Sequence, residues 1–389
     1  MARSNKDKLE TLESVSEVLA RTSIALDPKR CSYIRNWNST CRMCLNVCQH
    51  DAISRSIGRL HIDSEACTEC GACVAACPTS TFSATSPTMN QIVALARENA
   101  EKLDQHVVFA CSHHVERLGI DTGHVVELPC LNYLDEYTIT GLFALDVKMV
   151  VLFKPGCEGC SIDCAEPYID TVIASTKALL KQWQTHKRLK VYDEVPSAFL
   201  IEAQSGKKHR READASQRRE AFADAGLSMQ SYLYSAIGDT VGSLTGAPPK
   251  KKEDKDPQII VRLDEVYPAD SYRGVRMLRM LDFLGTRPYG QHVQSRFWTN
   301  VNIDPERCRH CGACATMCVT RALVYTEHDD KTVSLTFQPS LCVGCRLCKD
   351  GCLTRSMKYE NDVLADDLDE DVVKHLLDHA EPDKRKKYF

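Results

Sequence analysis

Residues 308–318 read CRHCGACATMC and residues 342–352 read CVGCRLCKDGC. Each sets four cysteines at the spacing C-x2-C-x2-C-x3-C: Cys308, Cys311, Cys314 and Cys318, then Cys342, Cys345, Cys348 and Cys352. Three thiolates separated by two residues on a tight loop can face three irons of one cubane, while the fourth, on a helix start, points away to a second. Small residues such as Gly312 and Ala313 let the loop backbone approach the sulfides and donate N–H bonds to them. Crossing the fourth cysteines gives two sets, each expected to hold a [4Fe–4S] centre: Cys308, Cys311, Cys314 with Cys352, and Cys342, Cys345, Cys348 with Cys318. Zinc pairs two C-x2-C knuckles around one ion, a pattern that two four-cysteine runs fit badly.

The same spelling occurs near the other end, in CTECGACVAACP, as Cys67, Cys70, Cys73 and Cys77, followed by Pro78. Its partner run departs from the pattern. CSYIRNWNSTCRMCLNVC has Cys31, then a long insert, then Cys41, Cys44 and Cys48, with Asn38 where a first cysteine belongs. An enlarged loop lets Cys31 reach back, giving Cys31, Cys41, Cys44 and Cys77 for one [4Fe–4S] centre. Cys67, Cys70, Cys73 and Cys48 form the other. A three-cysteine [3Fe–4S] centre with Cys31 unused is the alternative. Both pairs resemble bacterial-type two-cluster ferredoxins, over residues 31–83 and 302–358, including CPTSTF and the pairs Ala52–Ile53 and Ala322–Leu323. The resemblance implies small modules of β-hairpins and short helices, with too few apolar residues for an ordinary core and folded around their clusters.

Sixteen of the 21 cysteines are then placed, leaving Cys111, Cys130, Cys157, Cys160 and Cys164. Around them HVVFACS, HVVELPC and KMVVLFKPGC read as short β-branched strands, each running to a cysteine. Helical stretches alternate with them; SPTMNQIVALARENAEKLDQ opens on Ser-Pro and repeats apolar residues at Ile92, Leu95, Ala96 and Leu103. This predicts a small parallel sheet covered by helices, its continuous apolar strands buried on both faces. Sites on such sheets gather beyond the carboxyl ends of the strands. Four thiolates there could bind a [2Fe–2S] cluster, with a fifth left over. Buried structural cysteines or zinc are the plainer readings. His113, His114 and His124 are read as polar loop histidines without a metal role.

Residues 105–195 resemble the delta subunit of methyl-viologen-reducing hydrogenases: two strands ending in cysteine, then a Gly-Cys loop with a further cysteine before a long helix. The matching residues are Cys111, Cys130, Gly156–Cys157 and Cys164. Two departures stand out. CSHH lacks the second cysteine usual near the first strand, and Cys160 adds a thiol to the last loop, as an alternate fourth ligand. The resemblance implies a [2Fe–2S] electron-relay domain. It also implies partners in a larger complex: a flavin- or cluster-bearing reductase, a hydrogenase or a formate dehydrogenase.

The fold class expected is an α+β multidomain chain, with two ferredoxin-like 2[4Fe–4S] modules flanking a small α/β parallel-sheet domain. The expected order is an N-terminal helical segment (1–30), the first module (31–85) and the α/β domain (86–202). A charged linker (203–257), a connecting helical segment (258–301), the second module (302–358) and an acidic tail (359–389) follow. In the connecting segment Val275, Leu278, Leu281 and Leu284 recur at helical spacing, predicting a helix packed on the second module. The tail reads as a docked helix or a mobile end.

The N-terminal residues carry both charge signs and no signal-peptide core, and no run of about 18 apolar residues occurs. A net charge of −4 points to neither nucleic acid nor membrane. These features read as cytoplasmic. No dinucleotide or phosphate loop is present, so the chain reads as an electron-transfer subunit of an anaerobic oxidoreductase complex rather than an enzyme in itself. Two other classes compete: a disulfide or heterodisulfide reductase with Cys160 as nucleophile, and a redox-sensing iron–sulfur protein.

Overall fold

The computed structural model describes residues 23–162, 167–201 and 273–381. The expected N-terminal helix before residue 23, the charged linker, residues 258–272 of the connecting segment, the last residues of the tail, and Cys164 lie outside the described residues. Two compact units result. One combines residues up to 86, 178–185 and from 270 onward; the other takes 87–177 and 186–269.

The first unit holds both cysteine-rich ends of the chain. They share a plan. In the N-terminal half, strand Ile24–Leu26 pairs antiparallel with Phe82–Ala84, enclosing the hairpin Ile53–Ser56 and Arg59–Ile62. In the C-terminal half, Asn300–Ile303 pairs with Met357–Glu360, enclosing the hairpin Leu323–Glu327 and Val333–Phe337. The first module thus begins before Cys31. The tail is neither the helix nor the mobile end expected: Lys374–Ala380 adds as a third antiparallel strand beside Val333–Phe337. Its amphipathic residues are spent on covering the hairpin, with Leu377 buried against Leu335 and Phe337.

The apolar spacing in the connecting segment does form a helix, Arg273–Leu284, whose Val275, Met277, Leu278, Met280 and Leu281 are buried. It does more than cover the second module. The Arg273 guanidinium donates to the Ala75 carbonyl at 2.8 Å and to the Val74 carbonyl at 3.0 Å, in the first module. Arg296 adds a bond to the same Ala75 carbonyl at 2.9 Å. Trp183 donates to Asp282 at 2.8 Å, and its ring lies 6.0 Å from that of Trp298. The modules at opposite ends of the chain are therefore neighbours within one unit.

The second unit is a four-stranded parallel sheet in the order Val126–Leu128, His106–Cys111, Met149–Phe153, Arg188–Tyr192. Every residue of the two central strands is buried, as continuous apolar strands require when helices cover both faces. The fourth strand had no cysteine to mark it. The helix Met89–Lys102 starts two residues later than a Ser-Pro reading suggests: Thr88 caps it reciprocally with Gln91. Leu95, expected inside, is 47% exposed, and Val93 takes the buried position instead.

His106, at the start of its strand, is buried, with Nδ1 2.8 Å from the Leu103 carbonyl. Burial holds its pKa below the ordinary imidazole value, although the bond to Leu103 works the other way. The unfolded chain therefore takes up the proton first as pH falls. The stability from neutral His106 is complete above about pH 6.5 and is lost as pH drops through the depressed folded value. Amide exchange in strand His106–Cys111, corrected for intrinsic rates, should accelerate over that window in the native chain and much less in His106→Gln.

Candidate metal centres

Each complete cysteine run builds its loop from the same backbone device. The residue before the second cysteine is left-handed, as Glu69 (φ 54°), His310 (φ 53°) and Gly344 (φ 65°), and so is the residue after it, as Gly71 (φ 80°), Gly312 (φ 68°) and Arg346 (φ 60°). Alternating hands curl successive N–H groups to one side, the arrangement that cradles anions. At Gly312 no side chain would fit: a Cβ would stand 2.9 Å from Tyr325 Cγ. The irregular first run lacks this device, Arg42 having φ −132°. Its second half is regular. Three residues after each fourth cysteine the chain turns left-handed, at Asp51, Ser80, Arg321 and Arg355, φ 49°, 52°, 58° and 53°.

The thiols fall into groups. Burial pushes Cys44 up to about 12, with Cys77, Cys41 and Cys31 adding to the rise. Burial likewise raises Cys31 and Cys41, each also feeling Cys77. Cys73 is raised well above its usual value by burial, then by Cys70, Cys67, Cys44 and Cys48. Cys314 reaches about 12 through burial and the neighbours Cys308, Cys311 and Cys352. Cys342 reaches about 12 and Cys345 about 11, again through burial first, both feeling Cys318. In each pair of runs, buried thiols thus neighbour the fourth cysteine of the sister run, Cys44 with Cys77, Cys73 with Cys48, Cys314 with Cys352 and Cys342 with Cys318. Bare thiols in these places resist ionisation; a bound iron cluster supplies the positive charge that makes thiolates of them.

Sulfur also receives hydrogen bonds. Backbone N–H groups of Thr81, His310 and Ser356 point at Cys77, Cys308 and Cys352, at 3.3, 3.3 and 3.4 Å. Hydroxyls stand two residues beyond three of the fourth cysteines: Thr79 at 3.5 Å from Cys77, Thr320 at 3.6 Å from Cys318, Thr354 at 3.5 Å from Cys352. Ser356 adds a contact of 3.2 Å to Cys352. There burial pushes the thiol up, yet the Ser356 and Thr354 hydroxyls and two backbone N–H groups bring it to about 7. These hydroxyls were legible as the repeated C-x-T in CPT, CVT and CLT. Such bonds disperse sulfur charge and tune a cluster.

At the rim of the parallel sheet, Cys111 ends its strand, Cys130 lies two residues past Val126–Leu128, and Cys157 four past Met149–Phe153. Cys111 is raised by burial and then by Cys160 and Cys157, so those three thiols stand together. Cys160 belongs with the other two. His114 is not a polar loop residue: it is buried, with Nδ1 3.1 Å from Cys111 Sγ and Nε2 on the Gly156 carbonyl. Burial lowers its pKa, so the neutral ring donates from Nε2 to Gly156 and accepts at Nδ1 from the Cys111 thiol. His124 instead faces Asp121 at 3.7 Å. Among the described residues no three His, Cys, Asp or Glu side chains are placed to hold a single metal ion. No helix of the described residues is long and apolar enough to cross a membrane.

Comparison with known families agrees with the two ends. Residues 307–356 match the 4Fe-4S dicluster domain, and residues 60–83 match the 4Fe-4S binding domain. No curated protein and no solved structure matches the chain.

Proposed function

We infer that the chain, with ferredoxin-type 4Fe–4S domain matches towards both ends, is an iron–sulfur electron-transfer protein. We propose that it holds four [4Fe–4S] centres and relays single electrons as a subunit of a larger oxidoreductase complex. The ligands are Cys31, Cys41, Cys44 and Cys77; Cys67, Cys70, Cys73 and Cys48; Cys308, Cys311, Cys314 and Cys352; and Cys342, Cys345, Cys348 and Cys318. A [2Fe–2S] centre at the sheet rim takes Cys111, Cys130, Cys157 and, given its place beside Cys111, Cys160 in preference to Cys164. Such groups supply one-electron redox chemistry, over potentials of about −700 to +450 mV.

The chain's own residues set the environment: curled loops aim N–H groups at sulfur, Thr and Ser hydroxyls brace the fourth cysteines, and burial excludes water. The single observation that supports the reading is that, in each pair of runs, thiols pack beside the fourth cysteine of the sister run. The partners we propose are a flavin- or cluster-bearing reductase, or a hydrogenase or formate dehydrogenase type of subunit. Anaerobic iron and sulfide analysis with EPR during reduction tests the cofactors. About 18 irons with a rhombic [2Fe–2S] signal beside [4Fe–4S] signals is expected; zinc, or colourless protein, sinks it.

One observation favours a second reading. A thiol beside a histidine that a third group orients is the arrangement of an activated nucleophile, and Cys111, His114 and the Gly156 carbonyl form it. With Cys157 and Cys160 in a C-x2-C spacing next to it, the rim could reduce a disulfide using electrons from the iron–sulfur centres. Cys160→Ser separates the two. Loss of about two irons with the rhombic signal supports a cluster, whereas loss of disulfide reduction with iron retained supports the thiol reaction.

A further inference from the structure

The irregular first run raises its own question: why a long insert separates Cys31 from Cys41 where a regular run has two residues. The residues of that insert face the C-terminal module. Asn36 donates from Nδ2 to Met317 Sδ at 3.2 Å, one residue before Cys318. The Thr40 backbone N–H donates to Asp350 at 2.7 Å, and its hydroxyl reaches both oxygens of the same carboxylate at 3.1 and 3.0 Å. Asp350 closes the short helix Leu347–Asp350 that carries Cys348. The Ser32 hydroxyl bonds to Cys345. Gly351 is hemmed in by the same partners: a Cβ there would lie 2.2 Å from Met317 Cε and 3.1 Å from Asn36 Nδ2.

The insert thus meets the C-terminal module at three points, each within a few residues of a cysteine of one quartet. None of these bonds serves the N-terminal module, whose strands and hairpin are complete without them. Within each module the helices that carry the two cysteine sets pack together, Met43–Val47 with Ala72–Ala76 and Ala313–Met317 with Leu347–Asp350, so the quartets there are also adjacent. These three adjacencies fix a single order.

We propose that residues 32–40 are an intramolecular docking loop. It seats the C-terminal module on the N-terminal one so that the four cysteine quartets form one row. The row runs from Cys67, Cys70, Cys73, Cys48, through Cys31, Cys41, Cys44, Cys77 and Cys342, Cys345, Cys348, Cys318, to Cys308, Cys311, Cys314, Cys352. The inner two quartets meet across the loop, and the outer two are the ends open to partners; Cys311, in the last, is the exposed thiol of its run. The chain then offers one continuous route, in place of two separate modules bridged only by the central sheet. This rests on the cluster assignment above, and the test keeps the two apart.

The full-length chain, isolated without oxygen, is compared with Thr40→Val/Asp350→Ala and with Asn36→Ala; none of these residues is a proposed ligand. Hydrogen exchange in segments 36–41 and 346–351 should rise together, by about ten-fold or more in the double variant, because both sides of charge-assisted bonds are lost. The helix Met89–Lys102 should be unchanged. In fully reduced protein, EPR should show magnetic interaction across the junction that weakens in the double variant while the iron content stays at the native level. Exchange that rises in one segment alone, or in neither, overturns the docking role. So does a native spectrum that is the sum of two independent modules. Should the protein carry no iron, the earlier assignment fails, and the exchange comparison still decides whether the loop docks.

Discussion

Stripping iron from the anaerobic protein with a chelator should unfold the first unit and leave the parallel sheet standing. Several thiols of the first unit are buried where only a metal makes thiolates tolerable: Cys342 and Cys44 are held at about 12 without one. Without iron, each quartet is a set of buried polar groups facing one another, with sulfide gone and N–H groups of the curled loops left without acceptors. Around the quartets the cysteines themselves are part of the packing. In the C-terminal half the cluster beside the quartets is Val301, Ala322, Leu323, Leu335, Phe337, Met357 and Leu377, with six of the cysteines packed against it. In a structural metal site of this kind the binding free energy is the folding free energy, on the order of 10 kcal/mol per site for zinc peptides. The second unit has its own core, with Val108, Ala110, Val151 and Phe153 at or below 1% exposure, and needs no metal to bury it. Hydrogen exchange after chelation should show protection lost across 23–84 and 292–380 but kept in strands His106–Cys111 and Met149–Phe153. Protection that persists throughout would show that the first unit is held by side-chain packing, contrary to the argument.

The difference between the two units explains what could be read from the sequence. Cysteine spacing is a covalent constraint on short loops, so the cysteine runs were open to reading, and 308–318 with 342–352 alone suggest a crossing of fourth cysteines. The parallel sheet was readable for a different reason: HVVFAC and MVVLF are apolar without alternation, which only two-sided burial permits. What escaped depended on partners far off in the chain. Strand Lys374–Ala380 shows no clear strand pattern until the hairpin Leu323–Phe337 offers it an edge. Arg273 reads as one arginine among several in SYRGVRMLRM until its guanidinium meets the Val74 and Ala75 carbonyls. The same holds at the candidate sites. C-x-T after the fourth cysteine could be counted in the sequence, but the pairing of Cys111 with His114 depended on Gly156 holding the other ring nitrogen. The nine residues between Cys31 and Cys41 looked like a defect in a motif because the surface they fit lies some 300 residues on, at Met317 and Asp350.

Cys31→Ser should cost the protein one four-iron centre, with a loss of about one to four irons per chain and the other centres intact. Two forms of the irregular centre lead to opposite results. In a three-iron centre, Cys41, Cys44 and Cys77 suffice, Cys31 is a spare thiol, and its replacement by serine leaves the iron count and the EPR signals as they were. In a four-iron centre Cys31 is the ligand that the missing residue at Asn38 would have been. The placement of Cys31 favours the second form. It is 8% exposed, it stands just before the short helix Ser32–Arg35, and it feels Cys77 while Cys41 and Cys44 feel it. A spare cysteine has no reason to be carried into that company by a nine-residue excursion. Arg55, whose guanidinium bonds the Cys41 carbonyl at 3.0 Å and stacks over Tyr33, lowers Cys31 and Cys41 against the larger effect of burial. It thus favours thiolates at both ends of the insert. Serine oxygen is a harder and weaker ligand for iron than thiolate, so the substitution leaves three good ligands and an open corner. The measurement is iron per chain, together with EPR of the oxidised protein, where a three-iron remnant gives a signal that an intact four-iron centre lacks. A loss of about one iron with that signal, or of about four without it, makes Cys31 a ligand. An unchanged count makes the excursion a docking loop alone, with Cys31 no more than its buried hinge.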